Sequence, residues 1–226
     1  MAKSFDELVK RTTTKRTRSR AAARTSHLLA TTPSGKKQIV RKKKPVKRMP
    51  EGEVVLRLAF HLLKLPGASR SVTASLDRHH VKSGDKWVFR IATFLAAAGW
   101  KLMEPSGGQP WLGIYAKGGY RLTITGKSIG GDIVAVVRNR RIRVECKKGK
   151  LGASAGNPEN KLIHEAIGQI MTIEECADDD VLIVAVPRTD HHRRKLAWQH
   201  RPLMQRCGIY IVLVGADGVV EGMPKL

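Results

Sequence analysis

Between Leu8 and Pro50 the chain contains no acidic residue, and that gap limits where a core can form. Residues 1–50 carry sixteen Lys/Arg against two acids, Asp6 and Glu7, which gives +14 of the formal +23 carried by all 226 residues. Few apolar side chains accompany these charges, and the run RKKKPVKR from Arg41 to Arg48 has only one strongly apolar residue, Val46. So little apolar surface cannot offset the entropy lost on ordering. Residues 1–50 are therefore expected to be a basic, largely disordered nucleic-acid-binding arm, with room for a short helix over 5–30. Arg41, Lys42, Lys43, Lys44, Lys47 and Arg48 are its phosphate contacts. The remaining residues, 51–226, are enough for one folded domain with a substantial core.

The charge also sorts the partners. A net +23 costs self-repulsion in the compact state and favours a polyanion. Nucleic acid is the first candidate, because neutralising phosphates releases counterions. An anionic membrane surface is the second, but no apolar run approaches the roughly 18 residues of a spanning helix. The N-terminus lacks the apolar stretch of a signal peptide. Cys146, Cys176 and Cys207 are widely spaced and form neither a CxxC pair nor a zinc spacing with histidine. These features fit a cytoplasmic, nucleic-acid-associated protein, nuclear if eukaryotic.

Hydrophobic periodicity predicts the elements of 51–226. A helix is expected over 51–65, stopped by Pro66-Gly67, followed by a polar loop to residue 83. A second helix is expected over 86–98, with Ser83-Gly84-Asp85 as its N-cap. A hairpin broken at Gly118-Gly119 is expected over 111–124, and two further strands over 132–137 and 142–147. Then come a helix over 161–176, a strand over 181–186, a basic helix over 192–207 and a strand over 209–214. Mixed strands and helices that end in a β-α-β unit predict an α/β domain with a mixed central β-sheet flanked by helices.

The stretch GGDIVAVVRNRRIRVECKKGK, Gly130 to Lys150, carries the chemistry. With Asn139-Arg140 as a two-residue loop, Asp132 lies across from Lys147 and Val134 across from Glu145. Opposed residues share a face, as do residues two apart on a strand. Asp132, Glu145 and Lys147 then converge on one side of the sheet, while Ile142, Val144 and Cys146 face the core. A three-residue loop would send Asp132 to the other face. Two carboxylates and a lysine suit phosphodiester hydrolysis: hard oxygens bind Mg2+, and a bound metal lowers the pKa of its water and neutralises developing charge.

Asp132, followed thirteen residues later by Glu145-Cys146-Lys147, resembles the D…(D/E)XK signature of the PD-(D/E)XK nuclease superfamily. That group includes Holliday junction resolvases and virus-type replication-repair nucleases. The resemblance covers roughly residues 85–215 and has Gly131 where proline is usual. It implies a restriction-endonuclease-like core and a metal-dependent endonuclease that acts on DNA in preference to RNA. It further implies Mg2+, with Mn2+ able to substitute, held by Asp132, Glu145 and the backbone carbonyl of Cys146. Lys147 and a supporting Gln169 on the following helix join Asp132 and Glu145 in catalysis. Many members carry a glutamate on the first helix. The segment KWVFRIATFLAAAG has none, which leaves Asp85 or Glu53 as substitutes.

The same fold could bind without cutting, or the chain could be a basic structural component of a nucleic-acid assembly. A homodimer is compatible with either. Arg188, Arg193, Arg194 and Lys195 are candidate phosphate contacts. His191-His192 and His79-His80 read as solvated basic loops rather than metal sites, because adjacent helical side chains diverge by about 100°. The four tryptophans read as core in preference to base-stacking platforms.

Overall fold

A computed structural model describes residues 47–77, 81–83, 86–151 and 157–226. Arg41 to Lys44, His79-His80 and Asp85 lie outside the described residues. The described residues belong to one compact unit.

The chain enters it through β1 (Arg48–Met49), which pairs antiparallel with β10 (Gly149–Lys150). Met49 is fully buried, so the folded part begins ahead of residue 51. Helix α1 spans Glu51–Leu62. Its buried Val54, Val55, Leu58, Ala59 and Leu62 form one stripe, and Glu51 and Glu53 meet the positive end of its dipole. The helix stops three residues before the predicted Leu65, and Gly67 turns the chain at φ +78°.

The described residues form a nine-stranded sheet. In chain order its strands are β2 (Ala68–Ser75), β5 (Lys101–Pro105), β6 (Gly113–Lys117), β7 (Tyr120–Thr125), β8 (Ile133–Val137), β9 (Arg140–Cys146), β11 (Val181–Pro187), β12 (Ile209–Val214) and β13 (Val220–Glu221). Across the sheet the order is β13-β12-β11-β9-β8-β2-β7-β6-β5. Strands β9, β11 and β12 run parallel, as do β2 and β7, and the other neighbours are antiparallel. A separate small hairpin pairs β3 (Lys82–Ser83) with β4 (Lys86–Trp87). The remaining helices are α2 (Ile91–Ala97), α3 (Asn157–Ile170), α4 (Asp190–Arg193) and α5 (Pro202–Arg206), with a 3-10 turn at Leu196–His200. The expected α/β class with a mixed, helix-flanked sheet is the architecture found. No helix among the described residues is long and apolar enough to cross a membrane.

The two faces of the sheet differ. On one, α1 packs over Val72, Ala74, Ile133, Ile142, Val144 and Cys146. On the other, Ile163, Ala166 and Ile170 of α3 cover Leu182, Val184 and Val186 of β11 and Ile211 of β12. Strand β11 is buried on both faces, so its sequence is an unbroken apolar run. Beyond β9 the α3 face carries Thr73 and Ser75 of β2 and Thr123 and Thr125 of β7, none of them buried.

Four expectations change here. The segment expected as a loop to residue 83 holds β2, an interior strand of the sheet. Only its Val72 and Ala74 are buried, and Ser and Thr fill most of the other positions and mask the strand. The second helix starts at Ile91, because Lys82 and Ser83 pair with Trp87 and Lys86 and hold that stretch extended. The helix expected over 161–176 lies at Asn157–Ile170, so it begins four residues earlier and stops six sooner. The predicted basic helix is broken into α4, the 3-10 turn and α5. Pro202 forces Arg201 into extended backbone at ψ 142° and starts α5 as its first residue.

Candidate active site

The β8–β9 hairpin turns on Arg138-Asn139, at φ 49° and 64°. Both values are left-handed, as a two-residue type I′ turn requires. The loop is one residue earlier than expected, and the pairs are Ile133 with Val144 and Val134 with Arg143. The loop keeps two residues, so each side chain keeps its predicted face and only its partner changes. Ile133, Ile142, Val144 and Cys146 enter the core. Asp132, Glu145 and Lys147 line one cleft of about 850 Å³ together with Gln169 of α3. All three charged residues are buried to nine-tenths or more.

Each carboxylate is held. The Cys146 N–H donates to Asp132 Oδ2 at 2.7 Å, which fixes that carboxylate beside the end of β9. The Asp132 backbone bridges its neighbours: its N–H donates to Val144 O at 2.7 Å, and its carbonyl accepts from Ser75 N–H at 2.8 Å. Lys147 Nζ donates to Glu145 Oε1 at 2.8 Å. A third acid, Glu51, reaches the same place from the first turn of α1. Its Oε1 lies 3.7 Å from Lys147 Nζ, and its Oε2 accepts from Lys148 N–H at 3.3 Å.

Glu51 is absent from the sequence expectations, as are Asp77 and Glu165, which line the same cleft. Of the two helix candidates, Asp85 is not among the described residues. Glu53 binds Arg57 on the same helix at 2.7 Å. Glu51 sits two residues earlier at the helix N-terminus, and the i,i+4 spacing of Glu53 to Arg57 was the signal that could have removed Glu53.

Burial pulls the Lys147 ammonium down, but the Glu145 hydrogen bond and the charges of Glu51, Glu145 and Asp132 outweigh it, so its pKa rises above the ordinary lysine value. Lys147 is therefore a cation at neutral pH, suited to holding a phosphate or stabilising negative charge rather than to taking up a proton. Burial, reinforced by Asp132, Glu145 and Glu51, pushes the Cys146 thiol well up, which leaves it inert.

Glu145 and Gln169 also border a second groove of about 700 Å³, lined by Val134, Arg141 and Arg143. Arg143 Nε donates to Asp180 Oδ2 at 2.7 Å in a buried pair. Its Nη1 reaches the carbonyls of Ile129 and Gly130 at 3.4 and 3.3 Å, so it braces the turn that delivers Asp132.

That turn depends on Gly131, at φ +120°. Proline, fixed near φ −65°, cannot occupy this position. A Cβ there would stand 2.8 Å from the Val144 carbonyl oxygen. Gly131→Ala should therefore cost about 1–3 kcal/mol in backbone strain alone, read as a lower midpoint in urea unfolding. A stability within about 0.5 kcal/mol of wild type would show the turn to be permissive.

The basic residues near the sheet edge are distributed unequally. Arg188 donates to Asp217 Oδ2 at 2.5 Å and to Glu221 Oε1 at 3.3 Å. Arg193 binds Glu221 at 2.8 and 3.0 Å. Arg194 is exposed, and Lys195 Nζ lies 4.6 Å from the Trp198 ring centroid. Lys47 and Arg48 are exposed beside β1, and Arg48 lines the cleft. His192, expected in a solvated loop, is buried and donates through Nδ1 to Pro187 O at 2.6 Å. Burial pulls its pKa down, so it is neutral.

The chain matches no protein-family model, no curated protein and no solved structure.

Proposed function

We propose that the chain is a metal-dependent endonuclease that hydrolyses phosphodiester bonds, in DNA in preference to RNA. The observation that carries this reading is one cleft lined by Glu51, Asp132, Glu145 and Lys147 at the end of β9, in a chain of net charge +23. The β8–β9 hairpin followed by the β9-α3-β11 unit supports the restriction-endonuclease-like core expected from the PD-(D/E)XK resemblance.

The donor set tests the expected metal. Asp132, Glu145 and the Cys146 carbonyl are hard oxygen donors, and Mg2+ is commonly bound through one or two carboxylates while it keeps several waters. Among the described residues no group of three or more His, Cys, Asp or Glu side chains is arranged to hold an ion. A two-carboxylate site completed by a carbonyl and water does not need such a group. Asp132 and Glu145 would hold the ion, which when bound would lower the pKa of a water and neutralise charge on the phosphate. Lys147 supplies fixed positive charge for the non-bridging oxygens, and Gln169 borders both grooves and can orient what lies between them. Glu51, 3.7 Å from Nζ, adds to the Glu145 hydrogen bond in favouring the charged form of Lys147 and helps to position it. Glu51→Gln should slow cleavage about 10–100-fold while leaving DNA binding within about twofold.

The test is incubation of the full chain with supercoiled plasmid, single-stranded and branched DNA, with and without Mg2+ or Mn2+. Metal-dependent nicking or linearisation is expected. A nuclease fold that binds without cutting is the second reading, favoured by the 2.8 Å contact that ties Glu145 to Lys147. Binding with no cleavage of any of these substrates would select it.

A further inference from the structure

The β3–β4 hairpin stands between the cleft and a second concavity. Lys82, Ser83 and Val88 line the cleft that holds Asp132 and Glu145. Trp87, paired with Lys82 across the hairpin, lines a neighbouring pocket of about 250 Å³ with Arg90, Ile91, Thr93, Pro110 and Trp111. Trp100 and Trp111 are buried, as a core reading requires, but Trp87 is 44% exposed and Val88 48%. The Trp87 ring meets Trp111 edge-to-face, with centroids 5.9 Å apart and planes at 74°. Lys82 Nζ lies 4.7 Å from the Trp87 centroid. The pocket thus has the half-exposed Trp87 indole as one wall, the buried Trp111 behind it, a guanidinium in its lining, Lys82 beside it and no acid among its described lining residues.

We propose that this pocket takes an unpaired base of the strand bound at the cleft, which makes single-stranded or branched DNA the favoured substrate class. The proposal rests on the nuclease reading for the polymer that occupies the cleft. Its own support is the pocket's chemistry and its continuity with the cleft through one hairpin. An exposed indole such as Trp87 stacks any base through its π-face, and neighbouring cations meet the phosphates on either side. A paired base inside a duplex cannot present its face to a protein, so only unstacked nucleotides can enter.

The test is equilibrium binding of the full chain to a labelled single-stranded oligonucleotide and to a duplex of the same sequence, in EDTA so that no cutting contributes. Trp87→Ala should weaken single-strand binding by about tenfold and change duplex binding by less than about twofold. Trp87→Phe, which keeps a stacking face, should retain most of the affinity. Equal losses on both forms, or no loss on either, would overturn the proposal; the second result would leave the pocket to an apolar protein side chain. If the wild type binds neither form, this proposal and the nuclease reading fall together. If it binds single strands through Trp87 but cuts nothing with Mg2+ or Mn2+, the pocket stands and the nuclease reading falls.

Discussion

Asp132→Asn is expected to reduce cleavage by about a thousandfold or more while leaving DNA affinity nearly unchanged. The substitution keeps side-chain volume and an oxygen that can still accept from Cys146 N–H, so the 2.7 Å hydrogen bond that seats the side chain can persist. What it removes is the charge on one of the two carboxylates expected to hold a cation. Affinity should survive, because on the proposed reading most of it would come from phosphate contacts by basic side chains elsewhere. The measurement is plasmid nicking against time with Mg2+, run beside equilibrium binding in EDTA. Equal cutting by wild type and variant would place the activity at another site. Loss of binding together with cutting would mean that Asp132 has a structural role.

Asp180→Ala should destabilise the fold more than Gly131→Ala does. Arg143 and Asp180 form a pair with side-chain exposures of 6% and 2%. Removing the carboxylate leaves a buried guanidinium without its partner, which typically costs about 3–5 kcal/mol. For a domain of this size that lowers the melting temperature on the order of 10 °C. Activity should fall as well, because Arg143 also holds the carbonyls of Ile129 and Gly130 ahead of Asp132. Replacing both partners with apolar residues, as in Arg143→Met with Asp180→Leu, should recover much of the stability, since the desolvation penalty disappears with the charges. Thermal unfolding of both variants separates the outcomes. A single variant that melts with wild type would show that solvent reaches Arg143.

Local pattern settled a good part of this molecule. Strands β11 and β12 were legible because burial on both faces demands unbroken apolar runs. The shared face of Asp132, Glu145 and Lys147 was legible because side-chain direction alternates along a strand and the β8–β9 loop has an even length. That parity argument tolerated an error in register: the loop moved by one residue, every cross-strand partner changed, and no side chain changed face. Strand β2 was not legible. One of its faces needs no apolar side chain, so ASRSVTAS reads like a loop until its neighbours β7 and β8 supply the hydrogen bonds.

What the sequence by itself determined is whatever follows from neighbours a few residues apart: the α/β class, the amphipathic α1, the buried strands and the one-sided acidic cluster. Tertiary structure decided which distant residues complete the site. Glu51 stands 96 positions before Lys147 in sequence, yet its carboxylate oxygen lies 3.7 Å from Nζ. No hydrophobic period distinguishes Glu51 from Glu53, because both occupy the first turn of the same helix; only the i,i+4 spacing to Arg57 sets Glu53 apart. The way α1 lies against the sheet sends Glu51 to the cleft, while Glu53 pairs with Arg57 one turn further along the helix. The same holds for Arg188 and Arg193. Their charges read as phosphate contacts in the sequence, until the chain returns along β13 and brings Glu221 within 3.3 Å of both. Electrostatic partners are fixed by packing across the fold, and packing is a property of the whole chain rather than of any segment.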